Sequence, residues 1–171
     1  GGRDKATIEI NGRTLLDRAL AAVAQAGTVI VVGPRHETTR DVGWLREEPA
    51  GSGPAAAVGA ALDRVREDLV VVLAVDLPLI TSTHIDRLLD AVGDKEGACF
   101  VDDEGRDQPL AAVYRSDSLR AAAVRDLRDA SVRSLIGQLD LARVVESAAT
   151  FDCDTPEDVH TIEAMEAQHV R

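Results

Sequence analysis

The feature that most constrains this chain is the run Leu69-Val70-Val71-Val72-Leu73-Ala74-Val75, which ends abruptly in Asp76-Leu77-Pro78. An unbroken apolar run of this length, rich in β-branched residues, reads as a strand buried on both faces, the kind found in sheets covered by helices on either side. The proline shortly after the acid cannot donate a ladder hydrogen bond and bends the chain away from the sheet. The Asp76 carboxylate is therefore expected at the strand's C-terminal edge, at the lip of a crevice, where α/β sheets bind ligands. A lone carboxylate so placed suits a divalent cation carried on a phosphate. It would serve equally as a helix cap or a plain strand end, so the rest of the chain has to decide.

The 171 residues suffice for one domain, and a domain of that size hides roughly 70% of its unfolded surface. Hydrophobic residues make up 45% of the chain but aromatics only 2%, so the core is built from Ala, Val, Leu and Ile, with Phe100, Phe151, Tyr114 and Trp44 as its large rings. Base stacking on aromatic platforms is disfavoured. A net charge of -11, with no basic cluster to break it, argues against nucleic acid and anionic membranes as partners. A nucleotide ligand would need its phosphates held locally by a cation, a few basic side chains and backbone N–H groups. Cys99 and Cys153 stand apart with no C-x-x-C spacing, which suggests neither zinc nor a disulfide framework. No signal peptide is visible and no apolar run approaches the ~18 residues of a membrane span, so a cytoplasmic protein is expected.

Along the chain, helical spacing of Leu15, Leu16, Ala19, Leu20 and Val23 predicts a helix over 13–26 closed by Gly27. A strand is expected over 28–32, then a polar stretch over 33–42, a short strand near Trp44 and a loop over 47–54 opening a helix over 55–65. After Asp76, Thr81 or Ser82 caps a helix with Ile85, Leu88, Leu89 and Val92 as its apolar stripe and Gly93 at its end. Strands over 98–101 and 110–114 bracket the charged turn Asp102-Asp103-Glu104-Gly105-Arg106-Asp107, either as a hairpin or as a sheet extension. Helices over 117–128 and 131–139 and a strand over 143–145 follow. Thr155-Pro156-Glu157-Asp158 then opens a last helix with a cap, a proline at its first position and acids in its first turn. Strands alternating with helices imply an α/β domain with a mostly parallel sheet. The chain opens on Gly1-Gly2-Arg3-Asp4-Lys5 with no strand before it, so the expectation is that a first strand and the start of a Gly-rich loop lie upstream.

Several residues could carry chemistry. Gly1-Gly2-x-x-Lys5 offers mobile backbone and an ammonium, the parts of a phosphate cradle, although a Gly-Gly terminus can also be a scar. Gly51-Ser52-Gly53-Pro54 could touch a base or ribose through its backbone, or be only a turn. Gln108 puts an amide at a strand start, where it could read a polar heterocycle. Asp152 and Asp154 precede a helix N-terminus, where capping explains one acid and leaves the other to be explained. His36, His84, His160 and His169 are scattered, with no Ser or Cys nucleophile elbow, which leaves covalent catalysis unsupported.

Taken in order, Gly1-Gly2-Arg3-Asp4-Lys5, Asn11-Gly12-Arg13-Thr14-Leu15, Gly51-x-Gly53-Pro54, Asp76-Leu77-Pro78, Gln108-Pro109-Leu110 and Asp154-Thr155-Pro156-Glu157-Asp158 resemble the molybdenum cofactor guanylyltransferases over the whole length. The combination and spacing are specific, while each motif alone is common. The resemblance implies one Rossmann-like nucleotidyltransferase domain over 1–171, with a mostly parallel central sheet flanked by helices on both faces. It implies transfer of GMP from GTP to the terminal phosphate of molybdopterin, with Mg²⁺ as cofactor and transient contacts with enzymes that make or accept the product. By the same resemblance Gly1, Gly2 and Lys5 hold the GTP phosphates, Glu47 (or Glu48) with Gly53 meets guanine or ribose, and Asp76 holds Mg²⁺. Gln108, Asp152 and Asp154 then lie on the substrate side, with Arg133 as a candidate for the pterin phosphate. The family pattern Asn-x-Asn-Thr-Pro is replaced here by Asp152-Cys153-Asp154, a form shared with cytidylyltransferase relatives. Three readings stay open: the guanylyltransferase, a cytidylyl- or sugar-phosphate nucleotidyltransferase on the same fold, and a non-catalytic nucleotide-binding adaptor.

Overall fold

A computed structural model of the protein describes residues 4–46, 53–123 and 131–169. The chain enters through a single 3-10 turn, Lys5–Thr7, and then a small hairpin of β1 (Glu9–Ile10) and β2 (Arg13–Thr14). Asn11 and Gly12 at its tip have φ of 50° and 74°. Two successive left-handed residues are what a two-residue primed turn requires, and Asn-Gly supplies them at little strain. The hairpin displaces the first turn of the helix expected from residue 13. The Thr14 hydroxyl instead accepts the Asp17 N–H, and α1 runs Leu15–Ala22. It stops short of Gly27 because the Arg40 guanidinium takes the carbonyls of Val23 (3.1 Å) and Ala26 (2.9 Å), capping from a distant loop.

β3 (Ile30–Val32) and β4 (Gly43–Leu45) pair in parallel, and α2 (Pro54–Leu62) follows Gly53, whose φ of 88° favours glycine. The remaining elements are β5 (Leu69–Leu73), α3 (Ser82–Val92), β6 (Gly97–Val101), β7 (Asp107–Arg115), α4 (Ser116–Ala122), α5 (Val132–Ile136), β8 (Leu141–Val145), a 3-10 turn Ala148–Thr150 and α6 (Pro156–His169).

The main sheet has the order β5-β7-β6-β8. It is mixed rather than mostly parallel: β5–β7 and β7–β6 are antiparallel and β6–β8 is parallel. The cause is the charged turn after β6. Asp102 accepts the N–H groups of Glu104 (3.0 Å) and Arg106 (2.9 Å) and closes a hairpin, so β7 folds straight back instead of crossing over. β7 then lies between β5 and β6, while β5, β6 and β8 all point the same way.

Helices cover both faces. Val113, Ala111, Ala98 and Phe100 pack with Leu88 and Ile85 of α3 and Ala22 of α1. Ala112, Tyr114 and Cys99 pack on the other side with α2, α4 and α5 through Ala55, Leu119, Val132 and Leu135. The apolar run of β5 splits between these layers, Val71 and Leu73 to one and Val70 and Val72 to the other. Its residues are half-buried because β5 is an edge strand among the described residues. A third cluster of Ile10, Leu15, Cys153 and Ile162, with Val75, Phe151 and Val159 against it, fastens β1, α1 and α6 to the segment just past β5. Among the described residues, no helix is long and apolar enough to cross a membrane.

Candidate active site

Because β5, β6 and β8 share one direction, their C-terminal ends lie along one edge of the sheet. The first leads to Asp76, the second into the 102–106 turn, and the third through the Ala148–Thr150 turn to Asp152-Cys153-Asp154. The Cys153 N–H donates to the Asp76 carbonyl at 2.8 Å, which brings the acids flanking Cys153 to Asp76. Into this group reaches Lys5. Its Nζ lies 2.6 Å from Asp76 Oδ2 and also donates to Asp154 Oδ1.

The Asp76 side chain is 21% exposed and that of Lys5 38%, so the pair sits at a rim where a ligand could reach it. Burial disfavours the Lys5 charge, but the hydrogen bonds and charges of Asp154 and Asp76 outweigh it and raise its pKa above the ordinary lysine value. It remains an ammonium at physiological pH. Asp152 stays exposed as a residue, yet the cover over its carboxyl, followed by the like charges of Asp76 and Asp154, pushes its pKa up, against smaller opposing effects of Lys5 and Arg106.

The cap expected within Thr155-Pro156-Glu157-Asp158 is present, and neither the Asp152 nor the Asp154 side chain supplies it. Thr155 caps α6: its Oγ1 accepts the Asp158 N–H (3.2 Å), while Asp158 Oδ2 accepts the N–H groups of Thr155 (2.7 Å) and Asp154 (3.0 Å). This is a reciprocal capping box with Asp in the third helical position. The side chains of Asp152 and Asp154 take no part in it, so both acids are free for the rim.

Gln108 lies near the start of β7, but its Nε2 is engaged with Asp102 Oδ2 at 2.9 Å, beside Arg106 Nε at 2.8 Å on the same oxygen. Arg106 pairs with Asp102 and Glu104 in the turn, and its field on Asp152 is smaller than that of Lys5. Arg133 is not brought to the group. Its Nη2 donates to the Asp107 carbonyl (3.1 Å), and it lines a cavity of about 330 Å³ with Asp140 and Arg143 that none of Lys5, Asp76, Asp152 and Asp154 borders. Gly1, Gly2, Glu47, Glu48, Gly51 and Ser52 lie outside the described residues, while Gly53 offers backbone at the start of α2.

Among the described residues no three potential ligand side chains form a ready metal cage. Asp76 and Asp154 nonetheless present carboxylate oxygens to one cation, the Lys5 ammonium. Mg²⁺ is commonly held by one or two carboxylates plus substrate phosphates, so this donor set fits a cation that arrives with a nucleotide.

Comparison with known proteins gives the family and the fold. A protein from Opitutus terrae named "Probable molybdenum cofactor guanylyltransferase" is 36% identical over 134 residues, covering 74% of this chain and 65% of its own length. A protein of the same name from Mycobacterium marinum is 30% identical over 169 residues, covering 92% of this chain and 84% of its own length. In fold, the chain is similar to 2-C-methyl-D-erythritol 4-phosphate cytidylyltransferase from Thermus thermophilus, with a TM-score of 0.72 at 24% identity over 95% of this chain and 94% of that one. It is also similar to molybdopterin-guanine dinucleotide biosynthesis protein A from Archaeoglobus fulgidus, with a TM-score of 0.72 at 18% identity over 98% and 92%. The family model of the MobA-like NTP transferase domain matches residues 1–144, the span that carries Lys5 on its turn and Asp76 in the turn past β5, and the chain belongs to that family.

Proposed function

We propose that this nucleotidyltransferase moves GMP from GTP to the terminal phosphate of molybdopterin in the cytoplasm, releasing pyrophosphate and forming the guanine dinucleotide of the cofactor. The observation that carries the reading is the meeting of Lys5 with Asp76 and Asp154 at the carboxyl edge of the sheet, in a chain whose relatives bear the guanylyltransferase name.

The chemistry needs little beyond alignment and charge. An oxygen of the acceptor's phosphate forms a bond to the α-phosphorus of GTP as the bond from that phosphorus to the bridging β-phosphate oxygen breaks, and pyrophosphate leaves with the electron pair. A phosphate monoester is largely ionised near neutral pH, so no general base is required. Lys5 holds the nucleotide's phosphates, aided by backbone N–H groups of Gly1 and Gly2, while Glu47 and Gly53 meet guanine or ribose. Asp76 would hold Mg²⁺, which supplies neutralisation of the charge that builds on the phosphates. Asp152, Asp154 and Gln108 face the acceptor. Product passes to acceptor enzymes through transient contacts.

Cytidylyl transfer is the second reading, favoured by Asp152-Cys153-Asp154 in place of two asparagines. Titrating GTP and CTP separately by calorimetry, with turnover measured in the presence of molybdopterin, decides between them and disposes of a non-catalytic adaptor. GTP-dependent pyrophosphate release is expected; nucleotide binding without turnover would favour the adaptor.

A further inference from the structure

The polar loop after β3 holds a side chain that the reaction above does not use. His36 is only 22% exposed, and its Nε2 approaches Asp4 Oδ2 to 2.9 Å. The imidazole stands edge-on to the indole of Trp44 on β4, with centroids 6.1 Å apart and planes at 71°. Nε2 is buried and, among the described residues, has no hydrogen-bond partner, so what joins the imidazole to Asp4 is close approach.

Asp4 is the residue that builds the turn carrying Lys5. Its Oδ1 accepts the Ala6 N–H (3.1 Å), and its carbonyl accepts the Thr7 hydroxyl (3.0 Å) and N–H (3.3 Å). A three-residue 3-10 turn has little stability of its own, so its direction depends on what holds its ends. The far end is held: the Leu15 N–H donates to the Ile8 carbonyl at 2.8 Å, and Ile10 and Leu15 are core residues. At the near end Asp4 is exposed, and His36, seated against Trp44, stands against its second carboxylate oxygen.

We infer that His36 is a positioning residue for nucleotide binding: through Asp4 it fixes the turn from which Lys5 reaches the nucleotide's phosphates. The inference rests on the role proposed for Lys5. It makes the 33–42 loop, with no chemistry of its own, a determinant of how tightly the nucleotide is held, while the acceptor side, built from β8 and the segment before α6, is reached only through the Lys5 bond to Asp154 and is affected less. Among the described residues no hydrogen bond or ion pair joins His36 to Lys5, and its effect is confined to orientation.

The test uses the full chain with His36→Ala, His36→Gln, Asp4→Ala and the double variant, measuring GTP affinity by calorimetry and the KM of each substrate. His36→Ala should weaken GTP by about three- to tenfold, the range of one modest polar contact, with the acceptor KM within about twofold. His36→Gln, whose amide nitrogen can reach Asp4, should restore most of the loss, and His36→Ala should add nothing to Asp4→Ala. Should His36→Ala not fold, His36→Gln against the shorter His36→Asn gives the same decision. Equal losses for both substrates, or no rescue by Gln, would overturn the inference. Lys5→Ala separates the two levels: if it weakens GTP while His36→Ala does not, only the positioning role fails. If Lys5→Ala binds GTP normally, the role of Lys5 itself fails.

Discussion

The Cys153 N–H donates to the carbonyl of Asp76 at 2.8 Å, and this bond makes one site out of two motifs that lie far apart in the chain. Asp76 lies in the turn just past the half-buried strand β5 and Asp154 just before the last helix, and the Lys5 ammonium lies between their carboxylates. Cys153 itself is fully buried in the cluster with Ile10 and Leu15, so the link is anchored in the core while its flanking acids face outward.

Removing that ammonium should have two effects of opposite sign. Lys5→Ala is expected to weaken GTP by about ten- to a hundredfold, the scale of a charge-assisted contact to phosphate. In the absence of nucleotide it should tighten Mn²⁺ or Mg²⁺, because Asp76 and Asp154 no longer have an internal cation. Calorimetric titration of each ligand alone reads both effects. Unchanged metal affinity would mean that Lys5 and the cation do not compete for these carboxylates.

Capping and substrate contact separate cleanly at the entrance to α6. Thr155→Ala removes the cap and should lower stability by about 1 kcal/mol, with little change in kinetics. Asp152→Asn and Asp154→Asn should leave the melting temperature nearly unchanged, or raise it slightly for Asp152 by relieving its repulsion with Asp76 and Asp154. Both should impair use of the acceptor while GTP affinity holds. Thermal melts and separate KM values for the two substrates provide the check, and normal acceptor kinetics in both Asn variants would move the acceptor elsewhere.

Acid should weaken the fold through His84. Burial lowers its pKa, against the field of Glu146 and with that of Arg87, and its Nδ1 accepts the Thr81 N–H (3.0 Å) at the start of α3. The folded state therefore favours the neutral ring. This contribution is complete above the ordinary histidine pKa of about 6.5 and is lost as pH falls from there through the lowered folded value. Denaturant melts between roughly pH 7 and 5 should show a slope that His84→Asn flattens. An unchanged slope would show that His84 titrates alike in both states.

Much of this was legible because local patterns agreed with burial. The unbroken apolar run of β5 announced its two covered faces, and Pro156 with the acids behind it placed the start of α6. The reversal of β7 was not legible, since a stretch of polar residues suits a hairpin and a crossover equally; Asp102 decided it by closing the turn on itself. Likewise α1 ends early because of Arg40, a residue remote in sequence, and β1 and β2 are too short to show alternation. Of the candidate site, Asp76, Lys5, Asp152 and Asp154 were singled out by sequence, and the structure brings Lys5 to Asp76 and Asp154. His36 carried no spacing signal, because what makes it relevant is the partner it meets in space, Asp4.

The most direct test of the central claim is nucleotide turnover with molybdopterin as acceptor, GTP and CTP compared on the wild type and on Asp76→Asn. The account predicts Mg²⁺-dependent pyrophosphate release with GTP in clear preference to CTP. It further predicts a loss of about a hundredfold or more in Asp76→Asn, which keeps the shape of the residue and removes only its charge. Preference for CTP would reassign the nucleotide, and near wild-type turnover by a folded Asp76→Asn protein would contradict the account at its centre.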